Sequence, residues 1–314
     1  MQLIEEDAEA RLQREAPEIL VVGGGKGGGG KTCLAVHLAV EIARRGWRVI
    51  IVDADLSCSN VETVLGTRSD RKLDDFFYQR GGKDLRQIVC ETQYDNLQII
   101  PGTTGLLDVA NPRYQQKVAL IRELQSLDAD LIIVDLDAGA HLNTLDFYLM
   151  TDTNGILVLT PEKTSIDNAY KFLRASLFRR VERFYQSPEL ALLLKRIESL
   201  REFLECVKTS STFDGETKES VCSELVALAR AMKPKIVVNR ARNAYEAQIA
   251  ANIFAKHARQ NLLIEPENLG YMVFDNRVSE TINSGMPLVV SYPKLKISQC
   301  IACLLYTSPS PRDS

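Results

Sequence analysis

The sequence predicts an α/β fold of three layers, with a mostly parallel central sheet and helices on both of its faces. Short, continuously apolar runs alternate along the chain with amphipathic segments of helical length, and strands that are buried on both faces have this composition. A glycine-rich segment, GGGKGGGGKTC at residues 23–33, follows the first apolar run. The chain has 314 residues, of which 45% are hydrophobic, so it can bury the core that such a fold requires.

Seven apolar runs are the strand candidates, each short and followed by polar, proline or glycine residues. In chain order they are ILVV at 19–22, WRVIIVDAD at 47–55, LQIIPG at 97–102, DLIIVDLDAG at 130–139, GILVLTPE at 155–162, KIVVNRAR at 235–242 and LGYMVFD at 269–275.

The helix candidates lie between these runs. KTCLAVHLAVEIARRG at 31–46 has apolar residues on a broad face, and it ends in two arginines and a glycine, which helix C-termini favour. YQQKVALIRELQSL at 114–127 has its apolar residues three or four apart, which is typical of an amphipathic helix. YKFLRASLFRRVERFY at 170–185 is amphipathic with a basic face; it could meet lipid or a partner, but a core helix with a solvated basic face is the preferred interpretation.

We predict a polar N-terminal segment (1–18), one domain (19–302) with a helical insertion (185–233), and a non-native tail (303–314). From 181 to 234 the chain carries eight Lys and Arg against nine Asp and Glu, a balance that favours a protein partner at the insertion over nucleic acid. CLLYTSPSPRDS at the carboxyl end resembles translated sequencing adapter, so it is excluded from the fold prediction.

Composition restricts the classes of partner and compartment. The net charge of −3 gives no overall attraction to nucleic acid or to anionic lipid. The N-terminal residues are acidic and polar, unlike a secretion signal, so a cytoplasmic location is expected. Seven cysteines, an odd number in a long chain, are typical of reduced thiols, and the three histidines have no metal-ligand spacing.

The glycine-rich segment matches a phosphate-binding loop. Residues 25–32 read GKGGGGKT, which fits GxxxxGKT, and they stand between a predicted strand and a predicted helix, as that motif requires. Its glycines let main-chain N–H groups point at phosphate oxygens, and the helix that follows presents its positive end to the same anion. Lys31 would reach the β and γ phosphates, and the Thr32 hydroxyl would bind Mg²⁺. The sequence therefore predicts a P-loop NTPase fold.

A second lysine in the loop, Lys26, gives KGGGGKT, and this resembles the KGGxGK[ST] signature of the MinD/ParA family of deviant Walker A ATPases. Further segments are similar to the family's landmarks: RVIIVDADLSCSN to switch I, LIIVDLDAG to Walker B with switch II, LTPEKTSIDNAY to the segment after the fifth strand, VVNRAR to the adenine-contacting strand end, and NSGMPLVV to the last helix-to-strand turn.

The resemblance implies ATP and Mg²⁺ as cofactors and an ATP-dependent homodimer. Lys26 would cross to the nucleotide of the partner subunit, and Asp55 would orient the attacking water, so these two are the catalytic candidates. The metal candidates are Thr32, Asp53 and Asp135, the aspartates acting through water. The ATP-binding candidates are Gly25, Lys26, Gly27, Gly28, Gly29, Gly30, Lys31, Thr32, Cys33, Gly139 (through its N–H to the γ-phosphate), Asn239 and Arg240. Asp137 departs from the small residue or proline that is usual at its position.

Three functions within the family remain open. A MinD- or FlhG-like protein sets the place or number of a cellular structure such as flagella or the division site, and it contacts the membrane peripherally through a C-terminal helix, which would be missing here. A ParA-like protein partitions DNA, a surface that the acidic composition makes less favoured. An Mrp-like iron–sulfur carrier uses paired cysteines, for which Cys300 and Cys303 are weak candidates. The MinD/FlhG-like function is the preferred prediction.

Overall fold

The computed structural model describes residues 16–78, 84–103, 112, 114–150, 155–187, 193–194, 196–210 and 215–307. Most of the predicted N-terminal segment, parts of the predicted insertion and residues 308–314 of the predicted tail lie outside the described residues. Within them, the structure has eight strands, and among the strand pairings inside each of the two compact units described below only that of the third and fourth strands is antiparallel. Helices alternate with these strands, which confirms the α/β prediction.

The strands are β1 (Glu18–Gly23), β2 (Val49–Ala54), β3 (Cys90–Glu91), β4 (Leu97–Ile100), β5 (Leu131–Leu136), β6 (Ile156–Leu159), β7 (Lys235–Ala241) and β8 (Glu267–Val273). The helices are α1 (Lys31–Ala43), α2 (Val61–Leu65), α3 (Leu73–Tyr78), α4 (Tyr114–Gln125), α5 (Leu142–Met150), α6 (Lys163–Tyr185), α7 (Leu200–Thr209), α8 (Gly215–Arg230), α9 (Ala244–His257), α10 (Arg277–Ser284), α11 (Leu288–Ser291) and α12 (Lys296–Thr307). None of the described helices combines the length and the apolar character that crossing a membrane requires.

The chain packs as two compact units. The first comprises the residues up to Val22, Gly30–Asp137 and Asp275–Ala302. Its strands follow the order β3-β4-β2-β5-β1, and β2, β5 and most of β1 are buried. The parallel register of β2 with β5 places Asp53 opposite Asp135, so two acidic residues meet near the carboxyl ends of neighbouring strands. Helix α1 packs on both strands.

Helix α11 shows that the strand expected after the last helix-to-strand turn was predicted wrongly. NSGMPLVV was expected to turn from a helix into a strand, but Leu288–Ser291 forms a short helix instead. The N–H groups of Val290 and Ser291 bond back to the carbonyl of Pro287. Bonds to α1 fix the same segment, because His37 accepts the N–H of Leu288. These hydrogen bonds outweigh the strand propensity of the two valines.

Two glycines bring α2 and α10 into main-chain contact within this unit. Gly66 and Gly285 end these helices in the left-handed conformation. A Cβ atom on Gly66 would lie 2.0 Å from the carbonyl oxygen of Gly285, and a Cβ atom on Gly285 would lie 2.7 Å from the Cα atom of Gly66. Only glycine permits this approach on either side.

The second unit comprises Gly23–Gly29, Ala138–Phe274 and the residues from Cys303 onward. Its strands follow the parallel order β6-β7-β8. The long helix α6 packs against α5, α8 and α9. Its apolar stripe is mostly buried, with Leu173 and Leu177 inaccessible to solvent, and Arg179 pairs with the buried Asp146. The preferred interpretation, a core helix with a solvated basic face, is consistent with this packing; Phe184 remains 55% exposed.

Candidate functional site

The glycine loop, residues 23–29, is held in the second unit by close main-chain packing. Gly25 lies directly against α6: a Cβ atom there would come within 2.0 Å of the carbonyl oxygen of Asn168. Gly27 faces Ala138, whose Cβ atom would be 3.9 Å from a Cβ on the glycine, and Gly28 has a φ of +75°. The first of these glycines is therefore required by packing, and the third by its main-chain conformation.

Lys26 extends from this loop into solvent. Its neighbours Gly27 and Gly28 are also exposed. Among the described residues the lysine forms no hydrogen bond or ion pair, so its ammonium group is available to an external anion.

Gly139 contacts the same loop through its main chain. Its N–H group donates a hydrogen bond to the carbonyl oxygen of Gly24 at 3.3 Å, and its φ is +87°. The imidazole of His141 lies 3.4 Å from the point where a Cβ atom on Gly139 would stand. The N–H group that the family resemblance assigns to the γ-phosphate is thus bonded to the loop in this structure, and its role toward phosphate stays a prediction.

Asn239 and Arg240 lie at the end of β7, also in the second unit. The Asn239 amide donates from Nδ2 to the carbonyl oxygen of Gly29 at 2.9 Å and accepts the N–H of Arg240 at 2.8 Å. Arg240 has a φ of +58°, rare for a residue with a side chain, and its guanidinium stacks over the exposed ring of Phe274. Asn239 therefore supports the glycine loop, and Arg240 packs on the residue that follows β8. Their contact with adenine stays a prediction.

In the first unit, α1 begins with Gly30 as its N-cap, in the left-handed conformation with a φ of 89°. Gly30 has no side chain to cap the helix, and the first turn contains no acidic residue. The free N–H groups and the positive end of the dipole can therefore serve an anion. Lys31 and Cys33, the first and third residues of α1, are buried. Burial raises the pKa of the Cys33 thiol to about 12, so its side chain stays protonated and its contribution to a phosphate site is limited to its N–H group.

Asp135, at the end of β5, is the strongest indication of a cation site. Both of its carboxylate oxygens are buried and lack a hydrogen-bond partner of normal geometry. Burial raises the pKa of Asp135 well above its usual range; the nearby Thr32 hydroxyl and the Lys31 charge act in the opposite direction, and Asp53 raises it further. A carboxylate left in this state is costly unless a cation pairs with it. Carboxylate and hydroxyl oxygens are ligands that Mg²⁺ prefers, so Thr32 and Asp135 fit the predicted metal.

Asp53 is fully buried and is tied to the loop that follows β2. Its Oδ2 atom accepts hydrogen bonds from the Ser59 hydroxyl at 2.6 Å and from the N–H groups of Asn60 and Val61 at 2.9 and 3.0 Å. The last two donors stand at the start of α2, so Asp53 caps that helix from a distance. Burial raises the pKa of Asp53 to about 6, although the hydrogen bonds from Ser59 and Val61 lower it. The sequence did not reveal this capping role.

Asp55 directs one carboxylate oxygen into its own turn. Its Oδ1 atom accepts hydrogen bonds from the N–H groups of Ser57 and Cys58 at 3.1 and 2.8 Å and lies 2.9 Å from the Ser57 hydroxyl. Its Oδ2 atom has no partner among the described residues. The same hydroxyl lies 3.1 Å from Oδ2 of Asp137, the residue after β5. Sequence reasoning missed Ser57; the only signal was a serine in the LSCSN turn.

Most of the chain matches a known family of nucleotide-binding domains. Residues 20–288 match the CobQ/CobB/MinD/ParA nucleotide binding domain. The chain belongs to this family. The family's domain binds nucleotides, and the match covers both the glycine loop and the acidic strand ends described above.

Relatives of the family resemble the chain over part of their length. The antiactivator FleN of Pseudomonas aeruginosa is 31% identical over 159 residues, which cover 50% of this chain and 55% of FleN. The flagellum site-determining protein YlxH of Helicobacter pylori is 25% identical over 178 residues, 53% of this chain and 56% of YlxH. The chain thus spans little more than half the length of these two relatives.

A solved structure confirms the fold. The septum site-determining protein MinD of Pyrococcus horikoshii, complexed with Mg-ADP, superposes with a TM-score of 0.62 at 21% identity, over 92% of this chain and 94% of that chain. The prediction of a P-loop NTPase fold with a mostly parallel sheet is therefore confirmed.

Proposed function

We propose that the chain is an ATP-dependent dimerising switch that hydrolyses ATP to ADP and phosphate. The observation that carries the proposal is Lys26, an exposed cation within the phosphate-binding loop that has no ion pair among the described residues. A lysine that crosses to a second copy would stabilise the charge that develops on the leaving γ-phosphoryl group. Dimer formation would then depend on the presence of ATP.

Each candidate residue has a distinct task in this mechanism. The N–H groups at the start of α1 and the ammonium of Lys31 hold the phosphates. Thr32 and Asp135 would hold Mg²⁺, which would supply positive charge to neutralise the phosphates. Asp55, through its open Oδ2 atom, orients a water molecule for attack on phosphorus. Lys26 of a second copy completes the site.

Three substitutions separate these tasks. We expect Lys31→Ala to abolish ATP binding, Lys26→Ala to retain much of the binding but lose the ATP-dependent dimer, and Asp55→Ala to leave a dimer that holds uncleaved ATP. Size-exclusion chromatography with light scattering, in ATP and in ADP, measures the dimer, and phosphate release measures turnover. Lys256→Ala removes an exposed lysine from α9 and is the control. A wild-type protein that remains monomeric in both nucleotides would contradict the switch.

The cellular role that we propose is control of the position or number of flagella or of the division site. FleN is named an antiactivator and YlxH a flagellum site-determining protein, and MinD of Pyrococcus horikoshii a septum site-determining protein. Deleting the gene in its host and counting flagella and septa by microscopy tests the role. Unchanged flagella and septa, with ATP-dependent retention of the protein on DNA, would favour partitioning instead.

The proposal places the protein in the cytoplasm, with its ATP form on the inner face of the membrane. Because the predicted contact is made through a C-terminal helix, co-sedimentation with anionic lipid vesicles of the protein purified from its host, in ATP and in ADP, tests this location. We expect more protein in the vesicle pellet with ATP than with ADP, and equal amounts would contradict the membrane contact.

A further inference from the structure

Asp55 and Asp137 each come directly after the last paired residue of two neighbouring strands. In the parallel register of β2 with β5, Asp53 is opposite Asp135 and Ala54 is opposite Leu136. Asp55 directly follows Ala54 and Asp137 directly follows Leu136, so both reach the same edge of the sheet.

The Ser57 hydroxyl lies between these two carboxylates. Its oxygen is 2.9 Å from Oδ1 of Asp55 and 3.1 Å from Oδ2 of Asp137. A hydroxyl group has one proton to donate, so the two carboxylates share a single donor. Ser57 therefore couples the turn after β2 to the end of β5.

The contact of Ser57 with Asp137 joins residues that are much farther apart in sequence than those joined by the hydrogen bonds of the Asp55 carboxylate. The donors to its Oδ1 atom, the N–H groups of Ser57 and Cys58 and the Ser57 hydroxyl, all lie within three residues along the chain. These local bonds shape the turn, whose Leu56 carbonyl also accepts a hydrogen bond from the Thr103 hydroxyl at 2.7 Å. Asp137 is 80 residues away from Ser57 in sequence and follows a fully buried strand, so it adds a long-range contact at the Ser57 side chain itself, next to the Asp55 carboxylate.

We propose that Asp137 is a positioning residue for ATP hydrolysis, which acts through the Ser57 hydroxyl on the orientation of Asp55. This inference rests on the proposed function, in which Asp55 orients the attacking water. A small residue or proline at position 137 would offer Ser57 no acceptor, so the acidic residue gives this chain a contact that such a side chain cannot make. The open Oδ2 atom of Asp55 takes its direction from this contact.

A double-mutant cycle tests the route of action. Ser57→Ala and Asp137→Ala are each expected to lower kcat about fivefold to tenfold, the effect of one lost hydrogen bond. The affinity for ATP and the ATP-dependent dimer should change by less than about twofold. Because Asp137 acts through Ser57, the double variant should be no slower than the slower single variant. Single effects that multiply in the double variant, or single variants with the wild-type kcat, would overturn the inference.

Conservative variants distinguish positioning from general damage to the fold. Ser57→Thr keeps the hydroxyl and Asp137→Asn keeps an acceptor oxygen, so both should retain kcat to within about twofold. Ser126→Ala and Asp95→Ala, exposed residues outside the site, are the controls. If the conservative variants lose as much activity as the alanine variants, the hydrogen bond is not the cause and the inference fails.

Amide hydrogen exchange on the nucleotide-free protein gives a measurement that needs no turnover. Residues 55–58 should exchange several times faster in Asp137→Ala than in the wild type, while residues 59–65 should change little. Equal exchange at 55–58 would overturn the link. A wild-type protein without ATP turnover would instead contradict the proposed function, so the two failures are distinguishable.

Discussion

The side-chain amide of Asn239 donates a hydrogen bond to the carbonyl oxygen of Gly29, 2.9 Å away, and so joins the end of β7 to the glycine loop. Asn239 is buried, and its Oδ1 atom accepts the N–H of Arg240. The loop conformation therefore depends on a side chain that is 210 residues distant in sequence.

Asn239→Ala is expected to weaken binding of ATP and of ADP to the same extent, by about tenfold. The substitution leaves the Gly29 carbonyl without its partner, which costs about 1–3 kcal/mol, and in the proposed function the loop holds phosphates that both nucleotides have. Isothermal titration calorimetry measures both affinities. Asn252→Ala, on the exposed face of α9, is the control. A loss confined to one nucleotide would argue that Asn239 acts on a different part of the ligand.

Gly25→Ala is expected to destabilise the protein by about 1–3 kcal/mol and to impair nucleotide binding. The added methyl group would lie 2.0 Å from the carbonyl oxygen of Asn168, so either the loop or α6 must move. Chemical denaturation measures the change in the free energy of unfolding. Gly215→Ala, where a Cβ atom meets nothing within 4 Å, is the matched control and should be neutral or slightly stabilising. Equal stability of the two variants would contradict the packing argument.

Asp135→Asn is expected to make the nucleotide-free protein more stable, by about 1–3 kcal/mol, and to remove the stabilisation by Mg²⁺. The wild type buries two carboxylate oxygens without a hydrogen-bond partner, and a neutral amide avoids much of that cost. Thermal unfolding with ADP, with and without Mg²⁺, measures both effects. Asp95→Asn, at an exposed position, should change neither. A variant that keeps the full Mg²⁺ effect would exclude Asp135 as a metal-binding residue.

His37 makes stability depend on pH in the acidic range. Burial lowers the pKa of His37 to about 4, although the hydrogen bond of Nδ1 to the carbonyl of Cys33 acts in the opposite direction. The other ring nitrogen, Nε2, accepts the N–H of Leu288. The unfolded chain binds a proton near pH 6.5 and the folded chain does not. Stability is therefore complete above pH 6.5 and falls as the pH drops toward 4, by on the order of 3 kcal/mol.

His37→Gln is expected to reduce this loss between pH 6.5 and 4, since the amide does not titrate. Urea denaturation at several pH values measures the difference from the wild type. His257→Gln, at a half-buried ring on α9, is the control. If His37→Gln keeps the wild-type slope, other groups cause the acid sensitivity.

The strand pattern was predictable because the central strands are continuously apolar. β2 and β5 are buried at every position, and their apolar runs VIIV and LIIV indicate this burial in the sequence. β3 escaped prediction because it has two residues, Cys90 and Glu91, and pairs at an edge of the sheet. The helix at Leu288–Ser291 was not predicted because a hydrogen bond to the distant His37, which no local pattern contains, adds to its local hydrogen bonds to Pro287.

The sequence predicts the residue types of the candidate site better than it predicts the hydrogen bonds between them. GKGGGGKT has the fixed spacing of a phosphate-binding loop, so the sequence predicts that loop, and it predicts Asp135 from its place at the end of an apolar strand. The partners of Asp53 and the sharing of Ser57 could not be predicted, because each depends on how a turn folds onto a neighbouring strand. The bond from Gly139 to Gly24 is likewise a main-chain contact, which side-chain chemistry does not encode.

The approach of Gly66 to Gly285 has a mechanical consequence. The first residue of α2, Val61, donates its N–H group to Asp53 at the end of β2. At the other end of α2, Gly66 contacts Gly285, the residue that ends α10. Because neither glycine has a side chain, no change of side-chain rotamer can compensate for a displacement at this main-chain contact. Any shift of the segment that follows β2 must therefore move α10 as well, and this short helix acts as a rigid strut.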